Sequence, residues 1–128
     1  MNENKNDNEN IFGDVIYAYT REDAINDNTL LEVNDTAREA GIKFPVAITK
    51  NLYHKYINPK TMPTGQDEKG RLWDLLSMFR FNVKNSEGSK LYYKVKFSGK
   101  LIDVIASVEP KSMTDPNPAI TICLPEDN

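Results

Sequence analysis

The chain has 128 residues, of which 39% are hydrophobic and 27% are charged, and this composition excludes wholesale disorder. No apolar run approaches the roughly 18 residues that a membrane-spanning helix needs, and residues 1–10 lack the apolar core of a secretory signal. Cys123 is the only cysteine, so an internal disulfide is excluded. These observations predict a cytoplasmic protein that does not enter the membrane.

The net charge of −3 is unevenly distributed along the chain. Residues 1–40 carry ten acidic and three basic side chains, whereas residues 80–100 carry six basic side chains and one acidic side chain. The overall acidic balance argues against a dedicated nucleic-acid-binding protein. Such banded charge is instead typical of a surface that complements a partner of opposite charge.

Asparagine occupies every even position from 2 to 10, mostly between charged residues. A segment of this composition cannot bury apolar surface, so we expect a disordered head at residues 1–10. No repeat or linker divides the remainder, which is predicted to be a single domain at residues 11–128.

Short elements are predicted in the first half of the chain. Thr20 has the position of an N-cap before a short helix, and Asn34 or Asp35 is predicted to cap a second helix that ends before Gly41. Thr49 is predicted to cap a third helix through Ile57. Extended segments are predicted at 15–19, 30–33 and 44–48, the last limited by Pro45 to a strand start or a sheet edge.

The strongest helical pattern runs from about residue 67 to 83, where large apolar side chains recur at helical spacing. After it the period changes to two: Leu91, Tyr93, Val95 and Phe97 share one face of a strand. Partner strands are predicted at 101–108 and 119–124. The sequence therefore predicts an α+β fold in which a long core helix packs on a C-terminal antiparallel β-meander, with the helices on one face.

Four runs resemble a bacterial family of domains of unknown function that is common on plasmids, phages and other mobile elements. The runs are VIYAYTREDAI (15–25), TAREAGIKFPVAIT (36–49), QDEKGRLWDLL (66–76) and AITICLPED (119–127). The resemblance implies a mobile-element setting, and it carries over no activity, cofactor or catalytic residue.

One candidate polar site lies on the core helix. Asp67, Arg71 and Asp74 fall at i, i+4 and i+7, so they share one helix face, and His54 comes from the preceding predicted helix. Together they could form an acid–base or ligand-binding site. The alternative, which the pattern favours, is an exposed ladder of ion pairs. A single histidine with scattered acidic residues is a poor metal-ligand set, so neither a metal nor a cofactor is predicted.

A candidate interaction surface lies on the first strand of the meander, at Lys90, Tyr92, Lys94 and Lys96. Lysines interleaved with Tyr92 and Tyr93 could bind single-stranded nucleic acid by charge and stacking. Outward-facing lysines also protect edge strands from aggregation, and this reading is favoured.

No residue is assigned a catalytic role, and the sequence favours a function without enzymatic activity. The first hypothesis is a mobile-element accessory protein that binds another protein and modulates a host system. The alternatives are a small enzyme or ligand-binding domain that uses the polar face of helix 67–83, and a nucleic-acid-binding protein that uses the Lys/Tyr face.

Overall fold

The structure, a computed structural model, describes residues 19–86 and 88–128. The predicted disordered head at residues 1–10 and most of the predicted extended segment at 15–19 lie outside these residues. No helix within the described ranges is long and apolar enough to cross a membrane.

The elements of the first half follow the predicted order. Helix α1 (Arg21–Asn26) begins with the predicted cap, because Thr20 Oγ1 accepts a 3.1 Å hydrogen bond from the Asp23 N–H, and the Asp23 carboxylate accepts one from the Thr20 N–H. Strand β1 (Leu30–Glu32) comes next and precedes helix α2 (Asn34–Glu39).

The predicted side-chain cap of α2 is wrong. Val33 occupies the N-cap position and Asn34 is the first helical residue. The Asn34 side chain instead accepts a 2.8 Å hydrogen bond from the Val46 N–H, at the start of strand β2 (Val46–Thr49). The Asn34 side-chain oxygen, which the local pattern predicted to cap α2, therefore bonds to the backbone of β2 instead.

Thr49 caps the third helix as predicted, and its side chain accepts a hydrogen bond from the Leu52 N–H. Helix α3 (Lys50–Leu52) then continues as a π-helical turn at Tyr53–Ile57, which the sequence did not predict. The core helix α4 (Glu68–Asn82) begins after Asp67 and leads into a 3₁₀ turn at Val83–Asn85.

The last three strands form the predicted antiparallel meander within a larger mixed sheet. They are β3 (Lys90–Phe97), β4 (Lys100–Pro110) and β5 (Pro118–Cys123), and a 3₁₀ turn at Pro125–Asp127 follows. The strand order is β1-β2-β5-β4-β3, and only β2 and β5 are parallel. The fold is therefore α+β, with a five-stranded mixed sheet that extends beyond the meander.

The sheet carries helices on both faces, contrary to the sequence-based expectation of one. The main core joins helices α2 to α4 to the inward side chains of β2 to β5, such as Ile48, Ile122 and Val104. Helix α1 packs on the opposite face, where Ala24 contacts Leu30 and Ala47. Among the described residues, α1 packs on the β1–β2 side of that face, and the outward side chains of β3 remain exposed there.

Candidate functional site

Three of the four predicted polar-site residues line one open cleft of about 590 Å³. Asp67, Arg71 and Asp74 come from the first half of α4, and Trp73 lies beside them. The opposite wall comes from the β3–β4 hairpin through Lys96 and Ser98, and the loop before α4 also contributes to the lining. The cleft therefore lies between the N-terminal half of the core helix and one hairpin.

Arg71 is buried, with only 7% of its surface exposed, and it forms the inner part of the cleft. Its Nε donates to Gln66 Oε1 at 2.8 Å, Nη1 donates to the Tyr56 carbonyl at 2.8 Å, and Nη2 donates to Ser98 Oγ at 2.9 Å. The guanidinium carbon lies 5.1 Å from the centre of the Phe97 ring. Arg71 thus joins the loop before α4, the π-helical turn and the β3–β4 hairpin.

The expected ladder of ion pairs does not form along this helix face. Among the described residues, no carboxylate lies within ion-pair distance of Arg71, and all three of its hydrogen-bond acceptors are neutral. Burial of an unpaired charge is costly unless hydrogen bonds compensate for it. The Phe97 ring and the carbonyl at the end of the π-helical turn supply part of this compensation.

The two acidic residues of the cleft have different roles. Asp67 Oδ1 accepts a 2.7 Å hydrogen bond from the Gly70 N–H, so Asp67 is the N-cap of α4. Asp74 is exposed, as is Trp73, which keeps 43% of its surface accessible. One carboxylate therefore stabilises the helix terminus, whereas Asp74 and the indole of Trp73 are available at the cleft surface.

His54 does not join this cleft. It is exposed in the π-helical turn and lines a separate depression of about 460 Å³, together with Thr49, Asn51 and Asp127. Its ring packs edge-on against Tyr53, with the ring centroids 5.1 Å apart. The predicted four-residue polar site is therefore divided between two surfaces.

The second predicted surface is a continuous exposed strip. Lys90, Tyr92, Lys94 and Lys96 lie on the open face of β3, and Tyr92 keeps 67% of its surface accessible. Tyr93 points to the opposite face, where only 6% of it is exposed. The strip is called the β3 surface below.

The ion pairs of the β3 surface leave most of its positive charge uncompensated. Lys94 donates a hydrogen bond to Asp103 on the neighbouring strand β4, and the two form an exposed ion pair. Lys90 Nζ donates to the neutral side-chain oxygen of Asn128 at 3.0 Å. Within the described ranges, Lys90 and Lys96 form no ion pair, so the strip keeps a net positive charge.

The backbone of β3 adds a feature that side-chain patterns did not reveal. The Val108 N–H donates to the Ser89 carbonyl at 2.8 Å, and the register continues with Lys90 opposite Ser107. Bonded and non-bonded pairs alternate along antiparallel strands. The backbone groups of Leu91, Tyr93, Val95 and Phe97 therefore face β4, and those of Lys90, Tyr92, Lys94 and Lys96 face away from it.

The turn at the end of β3 agrees with this alternation. Ser98 and Gly99 form a two-residue loop with φ values of 52° and 80°, as in a type I′ turn. Such a turn is closed by a hydrogen-bonded pair, here Phe97 and Lys100. Since β3 is the last strand in the sheet order, its outward backbone groups have no strand partner in the described part of the chain.

Among the described residues, neither surface contains a cysteine or a cluster of metal ligands. Cys123 is buried, and burial raises the pKa of its thiol, which disfavours the reactive thiolate. Within residues 19–86 and 88–128, no three histidine, cysteine or carboxylate side chains are grouped as ligands for a metal ion. The arrangement is suited to binding through exposed charge, the open strand edge and the Arg71 cleft.

Several residues of the cleft were missed in the sequence. Gln66, Lys96, Ser98 and the Tyr56 carbonyl come from segments up to 42 positions apart in the chain, and only the fold brings them to Arg71. The Ser98–Gly99 dipeptide does predict a tight turn. Nothing in the local pattern indicates that this turn packs against α4.

Comparisons with known proteins identify the family of the chain. Searches of curated proteins and of solved structures each gave no match. A sequence model described as "Family of unknown function (DUF6573)" matches residues 8–128, and the chain therefore belongs to that family.

Proposed function

We propose that the protein acts by binding another protein, and that an acidic, extended segment of this partner adds to the sheet at β3. The observation that carries the proposal is an eight-residue strand whose outer edge pairs with no other strand of the described residues. Its outward backbone groups belong to Lys90, Tyr92, Lys94 and Lys96. Strand addition uses such backbone groups for affinity and the neighbouring side chains for specificity.

The charge of the β3 surface indicates the chemistry of the partner. A strand added beside β3 places its alternate side chains next to Lys90, Lys94 and Lys96, so acidic side chains at these positions are favoured. A second copy of β3 would instead bring lysines beside lysines, which is unfavourable. An acidic strand therefore fits the edge better than a second copy of β3 does.

Nucleic-acid binding has weaker support. Stacking of successive bases needs aromatic rings on the same face as the basic residues. Tyr93 is buried on the opposite face, and Asp103 pairs with Lys94, so the strip offers one exposed ring and less charge than the sequence implies.

The biological setting forms a further part of the proposal. The sequence resemblance supports a mobile-element origin, and the single buried thiol fits the reducing cytoplasm. The partner is then a host protein or an element-encoded protein whose activity changes on binding.

A direct test uses eight-residue peptides that alternate glutamate with valine or lysine with valine. Fluorescence anisotropy should detect binding of the acidic peptide, weaker at higher salt, and no binding of the basic peptide. Lys94→Pro removes an outward N–H without removing a backbone hydrogen bond to β4, and it should abolish binding. Both Lys94→Pro and Lys94→Ala lose the side-chain hydrogen bond to Asp103, so that loss does not distinguish them. The matched control Lys94→Ala keeps the N–H and should retain most of the affinity.

The same variants apply to capture from a lysate of the source organism after nuclease treatment. A protein retained by the wild type and by Lys94→Ala, but lost with Lys94→Pro, would support strand addition. Equal binding to all three proteins, or loss of all binding after nuclease treatment, would contradict it. Circular dichroism confirms that each variant keeps its fold.

A further inference from the structure

The guanidinium of Arg71 has unused binding capacity inside the cleft. A guanidinium carries five N–H groups, and three of those in Arg71 donate to Gln66, Tyr56 and Ser98. The other two have no acceptor among the described residues, although the side chain is more than nine-tenths buried. Buried donors without a partner call for an explanation, and a bound anion supplies one.

Two groups on the hairpin wall can bind the same anion. Lys96 leaves the edge strand β3 on its exposed face and also lines the cleft, and it has no ion-pair partner within the described ranges. Ser98 Oγ accepts from Arg71, so its own hydroxyl hydrogen is free to donate to a ligand. Arginine, serine and lysine together form a donor set suited to a carboxylate or a phosphate.

The acidic lining of the cleft distinguishes between these anions. Lys69, Arg71 and Lys96 contribute positive charge, whereas Asp67 and Asp74 contribute negative charge. Lys69 also lies 3.8 Å from a carboxylate oxygen of Glu39, which reduces its contribution. A site with this near balance favours a singly charged carboxylate over a doubly charged phosphate, because the two aspartates repel additional negative charge.

Trp73 indicates what the carboxylate is attached to. Its indole lines the cleft and keeps 43% of its surface exposed, although large aromatic side chains are usually more buried. A flat ring stacked on this indole removes apolar surface from water. We propose that the cleft binds an aromatic carboxylate, with the carboxylate held by Arg71, Ser98 and Lys96 and the ring on Trp73.

NMR titration with benzoate and benzamide tests this proposal, since the two molecules have nearly the same shape and differ in charge. Trp73 is the only tryptophan, so the single indole N–H signal reports directly on the cleft. Benzoate should shift this signal and the backbone signals of Lys96 and Ser98. Benzamide at equal concentration should leave them unchanged.

Variants of exposed residues keep the test independent of folding, because Arg71→Ala removes three structural hydrogen bonds and could unfold the protein. Lys96→Gln should weaken benzoate binding about tenfold, as expected for loss of one charged hydrogen bond. The matched control Lys100→Gln changes an exposed lysine outside the cleft lining and should have no effect.

Two comparisons identify the source of the ligand. Acetyl-Gly-Phe presents the same chemistry as a peptide C-terminus, so its tighter binding relative to benzoate would assign the cleft to a protein tail. Tighter binding of benzoate would assign it to a free acid. Equal shifts with benzoate and benzamide, stronger binding of phenyl phosphate, or no shift at millimolar benzoate would overturn the proposal.

Discussion

The hydroxyl of Tyr93 donates a 3.0 Å hydrogen bond to the backbone carbonyl of Leu75. This bond joins β3 to α4 inside the main core, where Leu75 is fully buried and Tyr93 is 6% exposed. The neighbouring tyrosines Tyr92 and Tyr93 therefore have different surroundings. Tyr93 stabilises the helix–sheet contact, and Tyr92 on the other face is left to the β3 surface.

Replacement of Tyr93 by phenylalanine should lower the free energy of unfolding by about 1 kcal/mol, because it removes this bond and keeps the ring in the core. The matched control Tyr92→Phe changes an exposed hydroxyl and should leave stability unchanged. Urea denaturation followed by circular dichroism measures both. Equal stability of the two variants would mean that the bond to Leu75 contributes nothing.

The same side chain should make stability fall in alkali. Burial raises the pKa of Tyr93 in the folded protein above the unfolded value of about 10. The contribution of Tyr93 to the free energy of unfolding is therefore complete below pH 10. It is lost as the pH rises above 10, because the tyrosine of the unfolded chain then releases its proton and that of the folded protein does not.

Urea midpoints measured between pH 8 and pH 11 test this difference. The wild type should lose stability more steeply above pH 10 than Tyr93→Phe. Tyr19 and Tyr53 also have raised pKa values, mainly because each hydroxyl donates to a carboxylate, and they are common to both proteins. Parallel pH profiles for the two proteins would contradict the assignment to Tyr93.

The two acidic residues of the cleft should respond differently to alanine substitution. Asp67→Ala removes the side-chain cap of α4 and should cost about 1 kcal/mol of stability. Asp74→Ala removes an exposed carboxylate and should leave the melting temperature unchanged. Thermal denaturation compares them, and a large loss of stability in Asp74→Ala would show that its role is structural.

The sequence predicted the elements whose residues interact locally. The apolar spacing of Leu72, Leu75, Leu76 and Phe79 indicated the core helix, and the alternation from Leu91 to Phe97 indicated β3. The parallel pairing of β2 with β5 could not be predicted this way. It joins Val46 to Ile120, and periodicity along a strand does not specify which distant strand is its neighbour.

The sequence named helix residues of the candidate site but not the residues around them. Helical spacing predicts one face for Asp67, Arg71 and Asp74, and all three line the cleft. Charged residues are expected at the surface, so the burial of Arg71 was not foreseen. Three hydrogen-bond acceptors outside α4 compensate for the burial of Arg71, and the local sequence pattern does not reveal them. His54 was expected beside them because it precedes α4 in the chain, but the π-helical turn carries it to another surface.

Gly41 offers a final test of local backbone geometry. It follows α2 with φ of +89°, as predicted for the residue after a helix, and an added Cβ would lie 2.8 Å from Cζ of Arg80. Gly88 has φ of +73° with no atom within 4 Å of an added Cβ, so it isolates the backbone cost. Since Arg80 is exposed and flexible, both alanine variants should lose about 1 to 2 kcal/mol. Urea denaturation measures both variants. If Gly41→Ala loses much more stability than Gly88→Ala, and the double variant Gly41→Ala/Arg80→Ala regains the excess, the Arg80 side chain is held rigidly over the turn.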